Sequence, residues 1–158
     1  MLFTHALAEF VFARSLEATI EKIKALPKGT YRNSMRVDGY GAPIDMVVAM
    51  TVRDEDIVVD FDGTSSQSPR GINVVLNYTH AYVTYALKCA LCPDVPNNEG
   101  SFRPVTVAAP PGSLLNAVPP APVAGRHVIG HFLPGIVFGA LAAVLPGRVL
   151  AEGAANIW

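Results

Sequence analysis

Two aspartates follow an apolar strand in the run IVVDFDGTSSQ. Carboxylates two residues apart at a strand end are typical of phosphatases in which the first aspartate is the nucleophile and the second a general acid. That chemistry also needs a lysine and a further acidic pair to hold Mg²⁺ beside the nucleophile. After Asp62 the acidic residues are Asp94, Glu99 and Glu152, which are isolated from one another. The sequence therefore argues against a phosphatase.

The same run has the features of a strand that enters a turn. Asp60 and Asp62 are predicted to share one face of the strand, because side chains two residues apart point to the same side. We expect the Asp62 side chain to cap the amides that follow it, and Gly63 to adopt a positive φ. This interpretation needs no catalytic role for either aspartate.

Two further pairs of side chains could support redox or metal chemistry. Cys89 and Cys92 form a C-x-x-C at the end of an apolar, helical run, whereas redox thiols of this spacing lie at a helix N-terminus, where the helix dipole lowers the thiol pKa. We predict buried, reduced cysteines, which fit a cytoplasmic protein.

His127 and His131 have the spacing of two helical metal ligands, but Gly130 lies between them and no third ligand is near. We predict that both histidines are structural and that this segment binds no metal.

The composition limits the partners of the chain. Of its 158 residues, 51% are hydrophobic and 16% are charged, the net charge is −1, and the mean hydropathy is +0.33. A typical domain has roughly 25% charged residues. No basic patch is available for nucleic acid. A chain with this many apolar residues would expose apolar surface as a monomer. We therefore expect it to form a homo- or hetero-oligomer.

No segment of the sequence is predicted to span a membrane. The opening run MLFTHALAEFVFA lacks a basic region and fits an amphipathic helix better than a signal peptide. The apolar run over residues 128–145 is interrupted by His131 and Pro134, which indicates a buried helix.

The elements that would position these side chains form an α+β pattern. Residues 2–26 predict an N-terminal helix, in which Leu7, Phe10 and Val11 form an apolar patch that Leu16, Ile20 and Ile23 continue. Three strands of an antiparallel β-meander follow, over residues 30–37, 44–52 and 57–62. Helices are then predicted over residues 74–92 and 134–145, with a short strand VTVAA between them. Residues 110–125 hold five of the 13 prolines and predict a long, polyproline-like connection laid over a surface.

Four segments of the chain, in this order, carry a resemblance to a known family: LPKGTYR, VDFDGTSSQSPRGIN, YALKCALCPDVPNNEGSFRPVTVAAPPGSLLNAVPPAPVAGR and GALAAVLPGR. Together they closely resemble the B component of the ATP-dependent hydantoinases and 5-oxoprolinases, from about Arg14 to the last residue. The family typically has VDFSGTS, so Asp60, Gly63 and Thr64 match and Asp62 departs from the pattern. The family's B components are several times longer, so residues 1–158 resemble a single domain or an internal segment of such a protein.

The resemblance implies cleavage of a cyclic amide bond, in hydantoins or 5-oxoproline, coupled to ATP hydrolysis. ATP and Mg²⁺ would bind an A-type partner subunit, and the metal site of the family is expected outside this segment. Two other interpretations stay open, namely a component of the acetone carboxylase type and a truncated, non-catalytic scaffold.

The resemblance also suggests site residues, chosen because their side chains could guide an activated ring to hydrolysis. The candidates for catalysis are Asp60, Glu99 and Arg126, and those for substrate binding are Thr64, Gln67, Asn73, Asn98 and Arg103. The alternative for each residue alone is that it caps a loop or holds the proline-rich segment in place.

Overall fold

The computed structural model describes residues 2–149. In chain order its elements are α1 (Leu2–Lys24), β1 (Gly29–Val37), β2 (Ile44–Val52), β3 (Ile57–Asp60), α2 (Leu76–Leu91), α3 (Glu99–Phe102), β4 (Val105–Ala108), α4 (His127–Gly130) and α5 (Phe132–Leu141). The α+β class and the N-terminal helix are confirmed.

The four strands form one sheet in the order β1-β2-β3-β4. β1, β2 and β3 pair antiparallel, as the predicted meander requires, and β4 pairs parallel with β3, from Ile57 opposite Val105 to Asp60 opposite Ala108. The sheet is therefore mixed. Side chains of β2 alternate between buried and half-buried, which places Met46, Val48 and Met50 on the core face.

The core lies between one face of the sheet and helices α2 and α5. α5 contacts β1, β2 and α2, and buries Ile136 and Leu141. This helix starts two residues before the predicted position, with Pro134 in its first turn, where the missing amide hydrogen costs nothing. It ends at Leu141 rather than at residue 145, and the separate short helix α4 precedes it.

Helix α1 packs mainly on α3, and the predicted apolar patch on α1 is not part of its buried face. Ser15 and Thr19 are buried, while Leu7 and Phe10 are 55% and 62% exposed. The prediction of one apolar face along the whole helix was right for Ile23, which is fully buried. It was wrong for the N-terminal half of the helix, because small polar side chains, rather than the largest apolar ones, allow the close approach of α3. Within residues 2–149, no helix is both long enough and apolar enough to cross a membrane.

Replacing Gly100 by alanine is expected to lower the free energy of unfolding by about 2 kcal/mol. A methyl group there would overlap the carbonyl oxygen of Phe12 and lie 2.7 Å from its carbonyl carbon, and backbone atoms cannot rotate away. Gly71→Ala is the matched control, because its methyl group would meet no atom closer than 3.7 Å. Thermal denaturation of both variants measures the difference, and equal melting temperatures would contradict close packing of α1 on α3.

Candidate functional site

The turn after β3 is closed by Asp60. Its Oδ1 accepts a hydrogen bond of 3.0 Å from the amide of Asp62, and Gly63 has a φ of 87°. The prediction that Asp62 provides the cap was wrong, because β3 ends at Asp60 and Asp62 already lies, exposed, in the turn. The positive φ of Gly63 is as expected.

The open face of the sheet leaves the Asp60 carboxylate accessible. Asp60 lies opposite Ala49 on β2 and Ala108 on β4, and both neighbours have small side chains. The residue is half-buried. Because its neighbours are small, this carboxylate can contact a ligand or another protein segment that approaches this face of the sheet.

Two polar residues that follow hold the loop in place. Thr64 Oγ1 accepts a hydrogen bond of 3.1 Å from the amide of Val47 and donates one of 3.3 Å to its carbonyl oxygen. Gln67 Oε1 accepts a hydrogen bond of 2.9 Å from the amide of Val118 in the proline-rich segment. Both side chains are therefore engaged with the backbone.

Asn73 is fully buried and joins the loop to the proline-rich segment. Its Nδ2 donates to the carbonyl oxygens of Ser68 at 2.8 Å, Arg70 at 3.0 Å and Pro122 at 2.8 Å, and its Oδ1 accepts from the amide of Ser68 at 2.6 Å. Backbone hydrogen bonds between residues 65 and 114, 74 and 114, and 71 and 125 continue this attachment. The proline-rich segment thus lies against the β3–α2 loop.

Three candidates lie at the ends of α3, Asn98 and Glu99 at its start and Arg103 just after its last residue. Asn98 is its N-cap: its side chain accepts from the amide of Ser101 at 3.2 Å and donates to Ser15 Oγ at 2.8 Å. Glu99 and Arg103 form an exposed ion pair of 2.9 Å, and the hydrogen bond to Glu99 raises the pKa of Arg103. An exposed pair of this kind contributes little to stability, so both charges are available to other groups.

Arg126 precedes α4 and faces an aromatic pair. Its guanidinium lies 5.7 Å from the centroid of the Tyr78 ring, within the range of a cation–π contact. Tyr78 stacks on Tyr82, with centroids 4.6 Å apart. A methyl group at Gly130 would overlap the Tyr78 ring, so a glycine is needed where α4 passes α2.

Tyr78 is expected to ionise late in an alkaline titration followed by tyrosinate absorbance. Burial, followed by a hydrogen bond with Tyr82, raises the pKa of Tyr78 from 10.0 to about 12. Because the folded state favours the neutral phenol, its contribution to stability is complete below pH 10.0 and is lost as the pH rises toward 12. Tyr78→Phe should remove the late step. A titration curve unchanged by that substitution would contradict the assignment.

A cavity of about 500 Å³ lies beside α2, the α2–α3 connection and α3. It is lined by His80, Ala81, Thr84, Tyr85, Lys88, Cys89, Pro93, Asn97 and Phe102. None of the eight predicted site residues lines it. They lie at the end of β3, in the β3–α2 loop, at the two ends of α3 and just before α4. The signal that could have found the cavity is the spacing of four between Ala81, Tyr85 and Cys89, which places them on one face of α2.

One of the residues that line this cavity is a buried lysine. Lys88 is 8% exposed, and its Nζ donates to the carbonyl oxygen of Cys92 at 2.7 Å and to that of Val95. These bonds fix the chain where α2 ends and the connection to α3 begins. The lysine thereby shapes the cavity wall, and its hydrogen-bond partners are two neutral backbone carbonyl oxygens.

The two cysteines differ in environment. Cys92 is buried, and burial raises the pKa of its thiol. Cys89 is exposed, so the prediction that both are buried was wrong for this residue. Cys89 lies on the side of α2 that faces the cavity, while Cys92 turns toward the core. Both are free thiols.

Of the two histidines with metal-ligand spacing, His131 contacts the backbone of His127 through its side chain. His131 Nδ1 lies 2.9 Å from the carbonyl oxygen of His127. In the part of the chain that the structure describes, no group of three or more His, Cys, Asp or Glu side chains could hold a metal ion.

Comparison with known proteins identifies the family of this chain. The family model described as Hydantoinase B/oxoprolinase matches residues 3–158. The putative B-type subunit of a D-/L-hydantoinase from Pseudomonas sp. is 33% identical over 151 residues, a match that covers 87% of this chain and 25% of that protein. The 5-oxoprolinase of Saccharomyces cerevisiae is 34% identical over 89 residues, or 56% of this chain and 7% of that protein.

Two solved structures share the fold. The ATP-dependent caprolactamase from Pseudomonas jessenii superposes with a TM-score of 0.79 at 24% identity, covering 87% of this chain and 24% of its own. Nucleotide-free acetone carboxylase superposes with a TM-score of 0.78 at 20% identity, covering 89% of this chain and 22% of its own. The chain thus spans about a quarter or less of the length of these relatives. From the match over residues 3–158, this chain belongs to the hydantoinase B/oxoprolinase family.

Proposed function

We propose that the chain acts as part of the B-type component of an ATP-dependent cyclic amidohydrolase, which opens rings of the hydantoin or 5-oxoproline type. The observation that carries this proposal is the family match over nearly the whole chain, with relatives named as a hydantoinase component and as 5-oxoprolinases. The fold shared with a caprolactamase, which by its name acts on another cyclic amide, adds support.

The proposed reaction requires a partner. An amide is a weak electrophile with a poor leaving group, and phosphorylation of its oxygen by ATP makes ring opening feasible if the activated ring is shielded from water. We assign ATP and Mg²⁺ to an A-type partner, and we assign the family's metal to a part of the B-type component outside this segment. We further propose that the assembly is oligomeric and that it is cytoplasmic. The free thiols of Cys89 and Cys92 are consistent with a cytoplasmic location.

The accessible charged side chains are the better candidates for chemistry. We propose Asp60, Glu99 and Arg126 as the groups that move protons or stabilise charge on the activated ring, because none of the three is buried. Arg103 keeps its proposed role in substrate binding through its exposed guanidinium. Thr64, Gln67, Asn73 and Asn98 stay predictions, and the hydrogen bonds described above account for their side chains without a substrate.

The experiment that tests the proposal combines the chain with an A-type hydantoinase component. ATP-dependent opening of hydantoin and of 5-oxoproline is followed as ring-opened product and ADP. Product formation that depends on both proteins supports the proposal. A requirement for bicarbonate would instead indicate a carboxylase component, which the shared fold of acetone carboxylase keeps as the second candidate. Activity with a full-length B-type protein and none with this chain would favour a scaffold.

A further inference from the structure

We propose that the cavity beside α2 and α3 binds a small aromatic carboxylate, with its negative charge near Lys88 and His80 and its ring against Tyr85 and Phe102. The cavity has a volume of about 500 Å³, which lies within the range of small-molecule sites. Such sites are mostly apolar and carry a few polar groups that orient the ligand. The charges and surfaces of the cavity carry this proposal, which goes beyond the proposed function and does not depend on it.

Lys88 gives the cavity a positive charge without a counter-ion. It is 8% exposed, and its Nζ donates to the backbone carbonyl oxygens of Cys92 and Val95. None of the ion pairs among residues 2–149 includes this lysine. A buried charge is usually paired with an opposite one, because neutral partners replace only part of its lost hydration. An anion bound in the cavity supplies the missing negative charge.

The other side chains that line the cavity add no negative charge. No carboxylate is among them, and His80 and Asn97 carry nitrogen groups that can donate hydrogen bonds to an anion. Asp94 is the acidic residue next to the lining residue Pro93. It is exposed and does not line the cavity, so water and salt screen its charge. The lining therefore favours an anion over a neutral ligand of the same shape, and it disfavours a cation.

The apolar walls favour an anion that carries a ring. Tyr85 and Phe102 supply aromatic surfaces, and Ala81 supplies a small apolar one. An aryl ring leaves water when it packs on such surfaces, whereas an inorganic anion gains nothing from them. On α2, Ala81 and Tyr85 are four residues apart and share one face of the helix. They lie beside His80 and Lys88 in the same lining, so that one ligand can contact both kinds of surface.

Cys89 reports on the occupancy of this cavity. Its thiol is exposed and lines the cavity, whereas Cys92 is buried with a raised pKa. A small neutral thiol reagent such as methyl methanethiosulfonate should modify Cys89 first. A bound ring would block that reaction and leave the slower modification of Cys92 as an internal reference.

The test uses benzoate as the probe, on the full chain without ATP or a partner. Mass spectrometry follows the rate of Cys89 modification, and calorimetric titration gives the dissociation constant. At about ten times that constant, benzoate should slow the reaction about tenfold, with saturation. Benzamide has the same shape without the charge, and acetate has the charge without the ring. Each should bind at least about tenfold more weakly, and benzylammonium should give no protection.

A matched pair of variants tests the role of charge inside the cavity. Asn97→Asp places a carboxylate in the lining at an exposed position and should weaken benzoate binding about tenfold by repulsion. Asn77→Asp adds the same charge at an exposed position of α2 outside the cavity and should leave the affinity unchanged. Lys88→Met should also lose binding. If loss of the two carbonyl hydrogen bonds unfolds that variant, the asparagine pair keeps the proposal falsifiable.

Four results would overturn the proposal: no protection by benzoate, equal protection by benzamide, equal affinity for acetate, or equal losses of affinity in Asn97→Asp and Asn77→Asp. Because neither ATP nor a partner is used, the two hypotheses fail separately. Protection by benzoate without ring opening in the reconstituted assay would contradict the proposed function and keep the anion site. Ring opening without protection would do the reverse.

Discussion

Replacing Asp60 by asparagine is expected to lower the rate of ATP-dependent ring opening by about 100-fold or more, since a positioned acid–base group contributes about that much. The substitution keeps an oxygen at the position that accepts the hydrogen bond of 3.0 Å from the Asp62 amide, so the turn should survive. It removes only the charge and the ability to exchange a proton. The rate is measured in the assembly with an A-type component, with unfolding followed in parallel.

Asp62→Asn is the matched control for this substitution. Asp62 is exposed in the same turn, and its side chain donates or accepts no hydrogen bond within the described residues. We expect the rate and the melting temperature of this variant to stay unchanged. A loss of rate in both variants would indicate that the turn or the net charge matters, and Asp60 would lose its proposed catalytic role.

Replacing Asn73 by alanine is expected to lower the free energy of unfolding by about 3 kcal/mol, because a truncated polar side chain leaves buried partners without hydrogen bonds. The side chain is fully buried and bonds to Ser68, Arg70 and Pro122. A methyl group cannot replace any of these bonds, so the proline-rich segment should detach from the loop first. Urea denaturation measures the loss, and limited proteolysis near residue 122 reports the detachment.

Gln67→Ala is the comparison for Asn73. Gln67 also bonds to the proline-rich segment, but through one hydrogen bond, to the amide of Val118, at a more exposed position. We expect a loss of about 1 kcal/mol. If Asn73→Ala instead retained full stability and lost ring opening, Asn73 would contact substrate, as the family resemblance suggested.

The strands were predictable because their signals are local. Alternation with a period of two in residues 44–52 determines which side chains of β2 face the core, and the same rule places Asp60 on the open face. Turn chemistry also placed the positive φ at Gly63. The capping atom was misassigned, since the end of β3 at Asp60 is set by its pairing with β2 and β4 rather than by the turn residues themselves.

Contacts between distant segments were not predictable in the same way. Which face of α1 is buried depends on the approach of α3, and Gly100 permits that approach. The exposure of Cys89 depends on where the α2–α3 connection runs, and Lys88 holds that connection through two carbonyl oxygens. No periodicity in either helix encodes the position of the segment that packs against it.

By itself, the sequence determined the α+β class, the meander, the family, and the set of polar residues worth testing. These follow from local periodicity, turn residues and ordered motifs, which do not depend on distant contacts. Only the tertiary structure decided how those polar residues are used. It engages Thr64, Gln67, Asn73 and Asn98 in internal hydrogen bonds, and leaves Asp60 and the cavity beside α2 open. The physical reason is that each of these hydrogen bonds needs a partner from another segment, and only the packing of the folded chain brings that partner within reach.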